Sequence, residues 1–399
     1  MTLTTLRTAA PAAERDLFAA TVPGFAELRR ELHQEPELSG SEVRTSARIA
    51  ALLKAWGYEV ETGVGGHGVV GTLVSGSGSR KLGLRADFDA LPIHEQTGLS
   101  YASRTEGVMH ACGHDGHTAI LLAAASWLAR TRGFDGTLRL IFQPAEETAS
   151  GARAMLSDGL LERFPIDAIY GLHNWPGLPE GQFGFITGPA MAAVDQVSLT
   201  VKGRGGHGAA PHEAIDPVVI SAYALTALQS IVSRNVNPLE SAVVTAGSIH
   251  GGSASNIIPD EVDLKLTLRS FTPQTRDLLG ERVQTLLRGV VEGLGGEAVL
   301  SYRRGIPAVT NHPQETEAAR RLALALFGTE AVEPDLAPRM ASEDFAFLLE
   351  AVPGSYLFVG TGPGAPLHSP LYQFNDSIIE PAAWFWVQLS RHYLSGGNA

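Results

Sequence analysis

The stretch Glu261-Val262-Asp263-Leu264-Lys265-Leu266-Thr267-Leu268-Arg269-Ser270 alternates polar and apolar residues without a break. A period of two predicts a β-strand with Val262, Leu264, Leu266 and Leu268 on its buried face and Arg269 on the open one. Reading outward, further strands are expected at 195–202, where Val197, Leu199 and Val201 alternate, and at 241–249 and 297–303. Helices are expected at 216–234 and 273–294, the second with Pro273 in its first turn. The order β-α-β-β-α-β is the split, ferredoxin-like pattern, and its alternating strands leave one sheet face buried and one open.

The flanks read differently. Amphipathic helices are expected at 26–34 and 41–56, strand-like runs at 68–74 and 82–88, and a buried Leu/Ala-rich helix at 118–130. Apolar strands follow at 137–142, 168–172 and 355–360. Strands alternating with helices predict an α/β domain with a mostly parallel sheet. The expected organisation is therefore two-domain α/β: a domain of residues 1–193 and 305–399, interrupted by an inserted ferredoxin-like (βαββαβ) domain at 194–304. Gly188 and Gly305 are candidate hinges.

Composition narrows the class. With 399 residues, 44% of them hydrophobic and 18% charged, the chain is globular and long enough for two cores. Its 44 glycines and 23 prolines fit a loop-rich enzyme. The net charge is −12 and no Lys/Arg-rich run occurs, which argues against a nucleic-acid or anionic-membrane footprint. A single cysteine rules out an intrachain disulfide framework and suits a reducing compartment. Residues 1–24 lack a continuous apolar core for a signal peptide, and no apolar run reaches a membrane span, so the expected location is cytoplasmic.

Metal-type side chains fall just past the expected strand ends. Gln143-Pro144-Ala145-Glu146-Glu147 follows one strand, His173 another, and a Gly/Pro-rich loop leads from the last strand to His368. In open α/β sheets, ligands collect at the carboxyl ends of strands. Met109-His110-Ala111-Cys112-Gly113-His114-Asp115-Gly116-His117 adds a Cys and a His two apart on a tight turn, with a helix starting near Asp115 whose N-terminus favours thiolate. Thiolate, imidazole and carboxylate together suit Zn, Mn, Co or Ni better than Mg or Ca. Of two adjacent glutamates, one can ligate while the other accepts a proton from an acidified water. Each element also has a bland counterpart: a lone Cys is usually a core thiol, a lone His a hydrogen-bonded one, and Glu-Glu a solvated pair. His117 reads equally as a ligand or as a residue facing the helix interior. It is their convergence on strand ends that points to a metal site.

Taken together, the motifs resemble M20 metallopeptidases, in particular the amidohydrolase branch of hippurate hydrolases, N-acyl-amino-acid amidohydrolases and indole-acetyl-amino-acid hydrolases. The matching segments occur in family order along nearly the whole chain. They are Leu84-Arg85-Ala86-Asp87-Phe88-Asp89-Ala90-Leu91-Pro92, the run from His110 to His117, Phe142 to Glu147, Gly171-Leu172-His173-Asn174, Gly205 to His212, Gly252 to Pro259, Ser342-Glu343-Asp344-Phe345, and Leu367-His368 followed by Phe374-Asn375-Asp376.

The resemblance implies two divalent metals per subunit, held by Cys112, His114, Glu147, His173 and His368, with Glu146 as general base. It implies that the inserted domain serves as a lid and dimerisation domain of a homodimer. There His207, in cis or from the partner subunit, would stabilise the oxyanion, and Asn256 and Arg269 would hold a substrate carboxylate. Many M20 peptidases have His-x-Asp where this chain has Arg85-Ala86-Asp87. Arg85 cannot ligate, so Asp87 is expected as an outer-shell catalytic residue with a changed role. The implied reaction is amide hydrolysis of an N-acyl amino acid; a dipeptidase or carboxypeptidase is the alternative within the family. A non-catalytic relative is disfavoured because every ligand and base position holds a competent residue. A phosphoesterase is disfavoured because no phosphate cradle or basic cluster is present.

Overall fold

The computed structural model describes residues 12–396; residues 1–11, part of the segment read above for a leader, and 397–399 lie outside the described residues. Contacts divide the described residues into two compact units, one of 12–188, 310–337 and 344–396, the other of 189–309 and 338–343.

The larger unit is built on an eight-stranded mixed sheet. Its centre is parallel: Gly136–Gln143, Lys81–Asp87, Ala168–Trp175 and Gly354–Gly360 lie side by side in that order. Glu59–Val64 and Gly68–Ser75 extend it antiparallel at one end. The two-residue strands Phe183–Gly184 and Val332–Glu333 close the other. The central strands are buried nearly end to end, as parallel strands covered on both faces must be. The helix His114–Thr131 is among the most buried elements, and Gly113 reverses the chain at its start with φ of 90° in the left-handed region. It packs against Ile379–Leu394 and Val22–Gln34.

Two expectations shift here. The helix begins at His114, four residues before the apolar run expected at 118–130 and one before the start read near Asp115, so His114 and His117 lie on its first turn. The strand expected to end at 172 runs through Trp175. His173 is therefore inside the strand rather than past it, because residues 173–175 still pair with 358–360 of the neighbouring strand.

The smaller unit has a four-stranded antiparallel sheet in the order Ala242–His250, Glu261–Ser270, Ala193–Lys202, Glu297–Arg304. In chain order that is 2-3-1-4, the ferredoxin-like arrangement. Burial along Glu261–Ser270 alternates as read, with Val262, Leu264, Leu266 and Leu268 at most 4% exposed. They form one core with Leu228 and Ile231 of the helix Pro217–Asn235 and Val283 and Leu287 of the helix Pro273–Gly293. Both helices start on a proline behind a side-chain cap: Asp216 accepts from the Val218 and Val219 amides, and Thr272 from that of Thr275. Arg276 and Asp195 form a buried ion pair that also receives the Tyr302 hydroxyl. Ala242–His250 is an edge strand, with one irregularity in its ladder at Gly247.

Candidate metal centre

Four strand ends and one helix start of the larger unit bring the donor side chains together. Beyond Lys81–Asp87 stands Asp89, and beyond Gly136–Gln143 a turn carries Glu146 and Glu147. That turn holds unusual backbone: Ala145 and Ala149 have φ of 54° and 57°. It is secured from outside by the buried Glu42, whose Oε1 accepts the Ala145 amide at 2.8 Å. Gly151 leaves room for it, since a Cβ there would sit 1.6 Å from the Pro144 carbonyl oxygen. His368 also has positive φ, 63°, and its amide donates to the Ala111 carbonyl at 2.8 Å, which docks its loop beside Cys112.

Five donor groups result among the described residues. Cys112, His114 and His173 form one, Cys112, Glu147 and His368 a second, His114, Glu146 and Glu147 a third, Asp87, His114 and His117 a fourth, and Glu146, Glu343 and Asp344 a fifth, with the donor atoms of each within 4.8 Å of one another. Cys112 Sγ lies 3.4 Å from His173 Nε2, and Glu147 Oε1 lies 3.4 Å from His368 Nε2 and 3.9 Å from His114 Nε2. Donors sharing one ion at bond lengths of about 2.0–2.3 Å stand roughly 3–4 Å apart. His114 Nε2 and Glu147 Oε1 are moreover buried with no hydrogen-bond partner. Orphaned polar atoms facing each other across such a gap are costly unless a cation fills it, so the residues present fit a divalent metal.

The surroundings aim these donors. His114 turns its Nδ1 to the Asp89 carboxylate at 3.1 Å and the Asp89 carbonyl at 3.0 Å, which leaves Nε2 pointing inward. The other Asp89 oxygen accepts from the Glu147 amide at 3.0 Å and from Ser39 at 2.7 Å. His173 Nδ1 is 2.7 Å from the Asn174 carbonyl, again leaving Nε2 inward. Burial, with His117 nearby, keeps His173 well below the usual imidazole range, so the ring is neutral and able to ligate. Burial pushes the Cys112 thiol up and Glu147 adds to this, a balance that a bound cation reverses. For His114, burial disfavours the charged ring, but Asp87 and Cys112 hold its pKa well above the usual value.

His117, readable as ligand or interior residue, is spoken for: its Nδ1 meets Asp87 at 2.6 Å and its Nε2 meets Asn174 Oδ1 at 2.6 Å. Asp87 also receives Arg85 at 2.6 Å. Despite complete burial, Arg85, His114 and His117 hold its carboxyl well below the usual range. Asp89 and Asn174 are contributors that sequence reasoning did not single out. Their only signal was adjacency to Asp87 and His173 within the matched segments.

In the smaller unit, His207 and Asn256 come together at the two-stranded ladder Gly206–His207 with Ile257–Ile258, where the Gly208 amide donates to the Asn256 carbonyl at 2.8 Å. Arg269 stands on the four-stranded sheet instead, its Nη1 donating to the Met340 carbonyl at 3.0 Å and to Ser342 at 2.8 Å.

Next to the centre, His33 is clasped between carboxylates, with Nδ1 2.9 Å from Asp115 and Nε2 3.3 Å from Glu95. Burial works against its proton, but these two partners raise its pKa to about 9. A group raised in the folded state contributes stability in full below its unfolded value of about 6.5, and loses it as pH climbs through 9. The metal-free wild-type chain is therefore expected to lose melting temperature between pH 7 and 9.5 more steeply than His33→Gln. Equal slopes for the two in differential scanning calorimetry would refute the assignment.

The comparisons with known proteins agree with this chemistry. The model for "Peptidase family M20/M25/M40" matches residues 83–392. The chain is 43% identical to the hippurate hydrolase of Campylobacter jejuni, over 93% of this chain and 96% of that one. It is 41% identical to the N-acetyl-L-cysteine deacetylase of Bacillus subtilis, over 93% and 88%. Among solved structures it resembles a dinuclear metal binding peptidase of the M20 family from Bacillus subtilis, with a TM-score of 0.82, 34% identity, and 94% and 99% of the two chains covered. On the extent of the family match and on relatives this similar along their whole length, the chain belongs to peptidase family M20/M25/M40.

Proposed function

We propose that this enzyme is a metal-dependent amidohydrolase that cleaves the amide bond of N-acyl amino acids, releasing a carboxylate and a free amino acid. The observation that carries the reading is the convergence of Cys112, His114, Glu147, His173 and His368, with the buried atoms His114 Nε2 and Glu147 Oε1 unpartnered. Similarity to a hippurate hydrolase and to an N-acetyl-L-cysteine deacetylase supports the substrate class. Two donor groups sharing Cys112 support two ions per chain, and the thiolate and imidazoles favour Zn, Mn, Co or Ni.

When bound, the ions supply Lewis acidity toward the amide carbonyl and lower the pKa of water at the site. Glu146 takes the proton from the attacking water and returns it to the leaving nitrogen. His207 donates to the oxygen on which negative charge develops. Asn256 and Arg269 hold the substrate carboxylate. With Nη1 bonded to Met340 and Ser342, the Arg269 guanidinium is fixed and retains three further donors. Asp87 acts from the outer shell by fixing His117 and facing His114.

Residues 1–193 and 305–399 form the catalytic domain in this reading, and 194–304 the lid, through which a cytoplasmic homodimer forms. No helix among the described residues is long and apolar enough to cross a membrane. The test is a panel of benzoyl- and acetyl-amino acids against dipeptides with a free α-amino group, each with Zn, Mn and Co. N-acyl amino acids are expected to be hydrolysed with kcat/KM at least about 100-fold above the dipeptides, a discrimination within reach of one unmatched polar group in a built site. The reverse order would replace this reading with a dipeptidase.

A further inference from the structure

The helix Val22–Gln34 carries none of the donors, yet the side it buries ends in charge. Arg29 and His33 are each 1% exposed. Arg29 Nε donates to Asp376 at 2.8 Å and its Nη1 to Asp115 at 3.3 Å. Arg30 reaches the same Asp376 at 2.8 Å. His33 shares Asp115 with Arg29. Tyr101 backs both arginines, its ring centre 4.7 Å from Arg29 and 5.1 Å from Arg30.

What these carboxylates are attached to gives the network its meaning. Asp115 is the residue after His114, on the first turn of His114–Thr131. Asp376 follows the loop that carries His368, at the start of the short helix Asp376–Ile378. The two segments also meet directly, because Phe374 packs so closely on Gly116 that a Cβ there would lie 2.1 Å from its ring. Arg29 thus spans the two parts of the chain that supply His114 and His368. A buried ion network is a poor choice for stability alone, since apolar side chains of equal volume do as well or better. What a forked guanidinium between two carboxylates adds is a fixed geometry.

We infer that Arg29 is a positioning residue for metal binding, holding the His114 helix start and the His368 loop at a fixed spacing through Asp115 and Asp376. The inference rests on the donor set proposed above and concerns how tightly that set binds, not which reaction follows.

Co²⁺ is the probe, titrated into the metal-free full-length chain against a competing chelator, for wild type, Arg29→Met, Arg29→Lys and Asp376→Asn. Arg29→Met strands no carboxylate, because Asp115 keeps His33 and Asp376 keeps Arg30. It is expected to bind Co²⁺ about 10–100-fold more weakly, as loss of an outer partner does. Its metal-free melting temperature should match or exceed that of wild type, which a merely structural role would not predict. Arg29→Lys, which keeps the charge without the fork, should fall between. Asp376→Asn should weaken Co²⁺ in the same direction, and it decides the matter if Arg29→Met does not fold. Wild-type Co²⁺ affinity in the folded variants would overturn the inference. A wild-type chain that takes up no Co²⁺ would overturn the donor set instead.

Discussion

Glu146→Gln keeps its metal and loses turnover by about 10²–10⁴-fold, the range that a positioned general base contributes. The substitution replaces one carboxylate oxygen with an amide of the same shape, so the turn between Gln143 and Gly151 keeps its form. Glu146 is 8% exposed and lies in a donor group with His114 and Glu147, close enough to meet a water at the centre without being one of the five proposed ligands. In the proposed reaction it moves a proton twice, once from the water and once to the departing nitrogen. A glutamine does neither. Metal content by elemental analysis should equal that of wild type, while kcat falls and KM changes little. An active Glu146→Gln protein with its metal in place would sink the base assignment. Lost activity accompanied by lost metal would instead place Glu146 among the ligands.

Cys112→Ser loses metal affinity by more than the roughly 10–100-fold that removal of an outer partner costs, and its activity does not return at saturating metal. Cys112 belongs to two of the three-residue groups, one with His114 and His173 and one with Glu147 and His368. A serine hydroxyl in the same place is a hard, neutral oxygen that stays protonated and does not substitute for thiolate on a borderline-soft ion. The 6% exposure of Cys112 and its raised metal-free pKa mean that the thiol is a poor nucleophile on its own, so loss of function traces to coordination rather than to covalent chemistry. Chelator competition with Zn²⁺ and Co²⁺ measures the affinity. Wild-type affinity in Cys112→Ser would return the residue to the ordinary class of buried core thiols.

Periodicity made the smaller unit readable almost residue by residue. Its central strand has one face sealed by two helices and one open, so burial writes itself into the sequence every second position. The larger unit was harder to delimit. His173 and Asn174 look like loop residues because they are polar, yet they belong to a strand whose carboxyl end is paired and buried inside a polar site. The candidate ligands were legible because their types are unusual and their segments recur in a known family order. The groups that aim them were not. Asp89 orients His114 and Glu147 only because two separate turns meet there. Arg29 read as one face of an amphipathic helix. Its partners lie 86 and 347 residues away, and no local pattern encodes such a pairing.

The strand Ala242–His250 carries a different kind of consequence. Its outer edge offers a row of peptide groups for pairing, yet between Ala242 and Ile249 it has no lysine and no proline, and the single interruption is the bulge at Gly247. Natural sheets usually defend such a border against aggregation. An undefended border makes production of the protein sensitive to concentration: chains that accumulate faster than they fold present a ready template for runaway stacking. Low expression temperature and dilute refolding are the conditions that this border favours, and a lysine at exposed Ile249 is the change that would guard it.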